Sequence, residues 1–215
     1  MEKLADFIPA LLVAALPILF AIIAHEVMHG VIALRLGDDT ALRAGRLTLN
    51  PISHIDPFGT IFLPVILMFL HLPVFGYAKP VPVNFSRLKS GRTGMMEVAA
   101  AGPLTNFALA IASALALRGI LRLAGGPWQA PIVVPLAYMM KYSVLVNIAL
   151  GVFNLFPLLP LDGGRVLTGL LPLPAARAFA RTEPYGFLIL LVLLYTDSVE
   201  AVINPIINTL ARMLL

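Results

Sequence analysis

Three stretches of this chain, Asp6 to Leu36, Met95 to Leu117 and Tyr138 to Phe156, are apolar over lengths that only a membrane accommodates. A crossing helix needs about 20 such residues. Hydrophobic residues make up 60% of the chain and charged ones 12%, against about a quarter charged in soluble domains. There is too little polar surface to clothe the protein in water, and mean hydropathy is +0.93. In lipid every backbone polar group must be paired internally, which leaves helices as the economical solution for long apolar runs. The expected fold is an all-α polytopic transmembrane bundle with a small extended or re-entrant element. Because the apolar segments take up nearly all the sequence, residues 1–215 are expected to form one membrane-embedded domain.

The remaining segments qualify this picture. Lys3 followed by an apolar run resembles a signal peptide, but the run continues through His25 to Leu36, so an uncleaved anchor is expected. Gly37-Asp38-Asp39 is a helix stop. Residues 41–57 mix Arg43, Arg46, Asn50, His54 and Asp56 with prolines and cannot span. Residues 59–75 are apolar but carry Pro64 and Pro73. Gly76 to Asn84 should be extended by its prolines. The last apolar segment begins near Tyr185 and breaks at Thr196-Asp197. If 59–75 doubles back, Lys and Arg divide 10 against 4 across the bilayer, and if it crosses, 8 against 6. Positive charge is retained on the cytoplasmic side, so the sharper split favours a re-entrant segment. It also puts His25 and Asp162 near the cytoplasmic ends of two parallel helices.

The net charge of +4 does not point to nucleic acid, because the basic residues are scattered through short loops with no basic, aromatic-interleaved patch. With no cysteine, any metal must be held by histidine and carboxylate. His25-Glu26-Val27-Met28-His29 supplies such a site. Spacing i, i+4 puts both imidazoles on one helix face, where they can take two positions around a tetrahedral Zn2+, with Glu26 beside the open position as a proton acceptor. Ionisable side chains at membrane depth are costly unless they are used.

A third ligand is needed. His54, Asp56, His71 and Asp162 are the candidates in apolar context. Asp162 follows a spanning helix and precedes Gly163-Gly164, which would permit a sharp turn aiming the carboxylate into the bundle, though Asp-Gly is also an ordinary turn. His71 reads as an interfacial or packed histidine. His54 reads as a substrate-side group or a plain loop histidine. Asn147 and Asn154 lie two turns apart on one helix face, where amides commonly bond between helices, and Asn106 reads as structural.

The combination of H-E-x-x-H in a membrane helix with Asn154-Leu-Phe-Pro157-Leu-Leu-Pro160-Leu-Asp162-Gly163 resembles the site-2 protease family of intramembrane metalloproteases. Ala101-Gly102-Pro103-Leu104-Thr105-Asn106 is similar to a further signature of that family, and the Ala44 to Asn84 region resembles its compact bacterial or archaeal branch. The resemblance implies zinc ligands His25, His29 and Asp162, with Glu26 as catalytic acid and base. It implies a role for Asn154 in positioning substrate or stabilising the oxyanion. PDZ and CBS domains found in the wider family are absent from the sequence.

The expected function is therefore a membrane-embedded zinc endopeptidase acting on membrane protein substrates in or beside the lipid bilayer. Its expected location is a prokaryotic cell membrane, with the active site towards the cytoplasm. Substrate carbonyls hidden in a helix must be exposed by unwinding, and the 41–57 element is expected to pair with the extended strand that results. The alternatives are a catalytically silent scaffold of the same fold, which would not need Glu26, and a zinc transporter, which would need polar ligands along several helices.

Overall fold

A computed structural model of the protein describes residues 2–70, 78–124 and 130–215. All regular structure among them is helical. Three helices are long and apolar enough to cross a membrane: α1 (Glu2–Arg35), through its Val13–Arg35 part, α4 (Gly91–Leu123) and α5 (Ala130–Asn154). Between the first two come α2 (Thr40–Arg43), a 3-10 turn at Pro51–His54, and a π-helical turn at Pro57–Phe62 leading into α3 (Leu63–Phe69). The chain ends with α6 (Asp162–Leu170), α7 (Leu173–Ala180), α8 (Glu183–Tyr195) and α9 (Ser198–Leu214). Helices α7 and α8 meet at 67° and could make a fourth crossing as one bent span. The protein is thus a multi-pass all-α membrane bundle.

Helix α4 outruns the apolar stretch expected at 95–117, and α5 begins before Tyr138. Apolarity marks the lipid-facing length, whereas backbone hydrogen bonding carries on past Arg118 and Arg122 into the interface. Helix α1 stops at Gly37, whose φ of 104° suits glycine. There the Asp38 N–H bonds the Ala33 carbonyl and the Gly37 N–H bonds the Leu34 carbonyl, closing the helix end in a Schellman motif.

Helix α4 packs between α1 and α5. Small residues make the approach close: Ala21 and Ala33 of α1 and Ala99, Ala110 and Ala114 of α4 are buried. In lipid, where apolar burial alone does not bring helices together, such contacts supply the packing. Val144, Ile148 and Val152 of α5 fill the space against Ala110 and Ala114, and α9 closes over them with Ile203, Ile207 and Leu210.

The polar segment between α1 and α4 is tied down at one end of the bundle. The Lys89 N–H bonds the Leu36 carbonyl at 3.0 Å, joining the start of α4 to the end of α1. Within it, the Lys79 N–H bonds the His54 carbonyl at 2.9 Å. The chain at 54 and the chain at 79 are therefore held side by side. The helical part between them, Pro57–Phe69, is shorter than the roughly 20 residues a crossing needs. His71 and the end of the 59–75 stretch lie outside the described residues. Residues 78–84 form no helix or strand, and Asn84 at their end has extended backbone angles.

Two buried side chains hold that segment. Arg46 donates to the carbonyls of Ser53, Lys79 (2.7 Å) and Pro80 (3.3 Å). Asp38 accepts from the Asn84 N–H at 2.6 Å and from the N–H and hydroxyl of Thr40. Burial alone would raise the Asp38 pKa, but these hydrogen bonds, with help from Arg87, hold it below the usual carboxylate range. It therefore stays ionised and keeps accepting.

Candidate metal centre

Helix α1 presents His25 and His29 towards α4, one turn apart, and each ring is held from behind. His25 Nδ1 lies 2.6 Å from Asn106 Oδ1, and His29 Nδ1 lies 2.7 Å from the Val98 carbonyl oxygen. A carbonyl oxygen only accepts, so each Nδ1 carries the proton and donates it. Each Nε2 is left with its lone pair. The two Nε2 atoms are 3.0 Å apart.

Asp162 completes the group. Its Oδ2 lies 3.1 Å from His25 Nε2 and 3.3 Å from His29 Nε2, and among the described residues this is the one cluster of histidines and carboxylates with spacing suited to a metal. Three acceptors facing one another repel. A shared proton would relieve one contact, whereas a cation among them relieves all three. Two imidazoles and a carboxylate form a zinc donor set with a fourth position left open. The residues present fit zinc.

Local sequence explains how Asp162 gets there. Helix α5 ends at Asn154, and Asp162 opens α6 after a short loop containing Pro157 and a cis Leu159–Pro160 bond. Gly163 and Gly164 were expected to turn the chain sharply. Neither has the positive φ of a glycine turn; what they supply is space. A Cβ at 163 would overlap the Leu155 carbonyl, and one at 164 would stand 2.5 Å from the Leu159 nitrogen. Bare backbone lets the first turn of α6 press against the loop and swing Asp162 to α1.

Glu26 follows His25 on α1, roughly two and a half turns, or about 14 Å, before the helix end at Arg35. Its Oε2 accepts the Val81 N–H at 2.9 Å. Glu26, the three clustered residues, Val81 and Asn154 line one cavity of about 350 Å³.

Residues 113–196 match peptidase family M50. The chain is 40% identical over 185 residues to YwhC of Bacillus subtilis, named as a zinc metalloprotease, covering 86% of this chain and 80% of that protein. The chain belongs to peptidase family M50. Two further relatives named as zinc metalloproteases are the Rip2 proteins of Mycolicibacterium smegmatis and Mycobacterium tuberculosis. Each is 30% identical, over 182 residues (85% of this chain, 66% of that protein) and 176 residues (81% and 63%) respectively. No solved structure matches. The expectation of an intramembrane zinc metalloprotease is borne out by the family and by the His-His-Asp cluster.

In this M50 protease the sequence-predicted residues are not all gathered. His25, His29, Asp162 and Glu26 come together, and Asn154 lines the same cavity with its Nδ2 donating to the Leu150 carbonyl at 3.0 Å. His54 does not line it. That histidine is 2% exposed, its Nε2 donates to the Thr48 carbonyl at 2.8 Å, and it lines a separate apolar cavity with Ile18, Ile22 and Ile23. It reaches the site only through backbone, since its carbonyl holds Lys79 two residues before Val81. Asp56, another candidate ligand, caps the π-helical turn by accepting the Gly59 N–H at 2.7 Å. The chain beside Glu26 is at Val81; the 41–57 element, expected to receive an extended substrate, contains most of α2 and a 3-10 turn, with Asn50 and Arg46 bonding its backbone locally.

Several residues of the site were not read from sequence. Gly102 lies directly against the imidazoles: a Cβ there would stand 2.5 Å from His29 Nε2 and 2.6 Å from His25 Nε2. The Val98 carbonyl, the Val81 N–H and Asn106 complete the frame. Only Gly102-Pro103 and Asn106 left a trace, as part of the family-like signature in the middle helix.

Proposed function

We propose that His25, His29 and Asp162 hold one zinc ion and that Glu26 is the acid and base in hydrolysing peptide bonds of membrane-embedded or juxtamembrane proteins, with the whole chain 1–215 acting as one domain. The observation that carries this reading is the convergence of three lone-pair donors, two of them oriented by hydrogen bonds at the far side of the ring. Zinc, when bound, supplies a Lewis acid that polarises the scissile carbonyl and makes water a competent nucleophile near neutral pH. Glu26 takes the proton of the attacking water and returns it to the leaving amine. The Val81 N–H fixes Glu26 Oε2 and leaves Oε1 for that water. Asn154 can exchange its bond to Leu150 for one to the oxygen that becomes negative. His54 acts from a distance, by anchoring the 78–84 segment on which an extended substrate would lie.

Metal analysis of the purified protein is expected to give about one zinc per chain, lost when His25→Ala and His29→Ala are combined, because zinc affinity depends on each deprotonated ligand. Unchanged stoichiometry in the double variant would remove the site.

The active site is proposed to open towards the cytoplasm. The charge asymmetry supports this, as does the meeting of residues 36 and 89 at one end of the bundle. The absence of native cysteine makes labelling clean. Single cysteines at Asp39, Ser90 and Thr182 should be protected from an impermeant thiol reagent in intact cells, and one at Arg122 should react. Opposite behaviour of positions 39 and 90 would mean that the segment between them crosses.

A further inference from the structure

Beyond the ligands, the bundle contains a continuous line of buried polar side chains running away from His25 across α4 and α5. Asn106 Oδ1 faces His25 Nδ1 at 2.6 Å. Asn106 Nδ2 donates to Asn147 Oδ1 at 2.9 Å and reaches the Ala21 carbonyl at 3.3 Å. Asn147 Nδ2 donates to the Ser143 carbonyl at 2.8 Å and to the Ser143 hydroxyl at 3.3 Å, which lies 2.7 Å from the Ser113 hydroxyl. Both asparagines are 0% exposed. Interhelical glue would explain the burial. It would not explain why the line ends on the back of a metal-facing histidine.

From the Ser143 carbonyl through Asn147 and Asn106 to His25, the direction of each bond is determined. The two ends of an amide have the same shape but opposite polarity. The Ser143 carbonyl can only accept, so Asn147 must point its NH2 there and its oxygen at Asn106. Asn106 then meets two acceptors, Asn147 Oδ1 and the Ala21 carbonyl, so its NH2 turns to them and its oxygen to His25. His25 must answer with an N–H at Nδ1, which leaves Nε2 unprotonated beside His29 and Asp162. A flipped Asn106 would face His25 with a donor. The imidazole proton would then move to Nε2, where no metal could be bound.

We propose that Asn106 is a positioning residue that fixes the tautomer and rotation of His25, and that Asn147 acts through it by fixing the amide. The inference rests on the zinc reading above and adds to it two residues outside the ligand set. Outer hydrogen bonds of this kind are typically worth 10- to 100-fold in metal affinity.

The test uses the full chain in detergent, with zinc affinity measured by chelator competition and the His25 tautomer measured in metal-free protein by nitrogen NMR. Asn106→Leu should weaken zinc on the order of tenfold or more and mix the tautomers. Asn106→Asp keeps an acceptor opposite Nδ1 and should retain the wild-type tautomer and more of the affinity than Asn106→Leu, although it gives up the donations to Asn147 and the Ala21 carbonyl. A packing role predicts the reverse order, with leucine tolerated and a buried carboxylate harmful. Asn147→Leu should shift the tautomer in the same sense and add nothing further in an Asn106→Leu background. Wild-type affinity and tautomer in Asn106→Leu or in Asn147→Leu would overturn the proposal. If instead wild-type protein binds no zinc, the metal site itself fails, an outcome distinct from loss of the relay.

Discussion

Glu26→Gln is expected to keep its zinc and lose cleavage by on the order of a hundredfold or more, the usual cost of removing a general base. Glutamine has nearly the same shape, and its amide oxygen can still accept the Val81 N–H that Glu26 accepts at 2.9 Å. None of the three clustered ligand atoms is touched. What disappears is the ability to take a proton from water and hand it to the leaving nitrogen. Cleavage of a membrane-protein substrate in vesicles, run beside metal analysis of the same preparation, separates the two properties. A Glu26→Gln enzyme with near-native turnover would end the mechanism.

A methyl group added at Gly102 should be nearly as damaging, by another route. In Gly102→Ala the new carbon would stand 2.5 to 2.6 Å from the Nε2 atoms of both histidines, the atoms proposed to bind zinc. Something must move. The α4 backbone cannot easily give, because Val98, Ala99 and Ala101 around it are themselves buried. Overpacking of this kind costs about 1 to 3 kcal/mol, and a good zinc site keeps its ligand distances within about 0.2 Å of their ordinary values. Zinc affinity should therefore fall at least on the order of tenfold, with helix content unchanged. Full zinc occupancy in Gly102→Ala at wild-type affinity would show that the imidazoles have room that the structure does not show.

These two residues mark the reach of sequence reasoning here. Glu26 was legible because its neighbours in space are its neighbours in the chain: a helical period puts 25, 26 and 29 together wherever the helix goes. Gly102 was not, because its importance lies in which α4 position meets which α1 position, and no local pattern encodes that. Asp162 stands between the two cases. Composition reduced the third ligand to four candidates, and of the three among the described residues the fold brings Asp162 to the histidines, uses Asp56 as a helix cap and buries His54 in a neighbouring cavity. The glycines after Asp162 were noticed for the wrong property, conformational freedom instead of the absence of a side chain. The crossing helices were plain from hydropathy, and their ends were not, because lipid ends before hydrogen bonding does. The proline-rich 78–84 segment was expected to be extended, and it is free of helix. Its contact with Glu26 could not be anticipated, since it depends on Arg46 and Asp38 gripping it from two other loops.

The position of Glu26 along α1 sets what a cut accomplishes. Some 14 Å of helix lie between it and Arg35, and somewhat more on the other side back to Val13. On the proposed function, a substrate helix lying alongside and cut at that level would be divided well inside the hydrocarbon layer, which is about 30 Å thick. Each product would keep only part of the 20 or so apolar residues that held the parent in place. Neither part could span, so one hydrolysed bond would remove the anchorage of both pieces. On the proposed function, breaking a single peptide link at this depth would change the compartment to which a protein belongs.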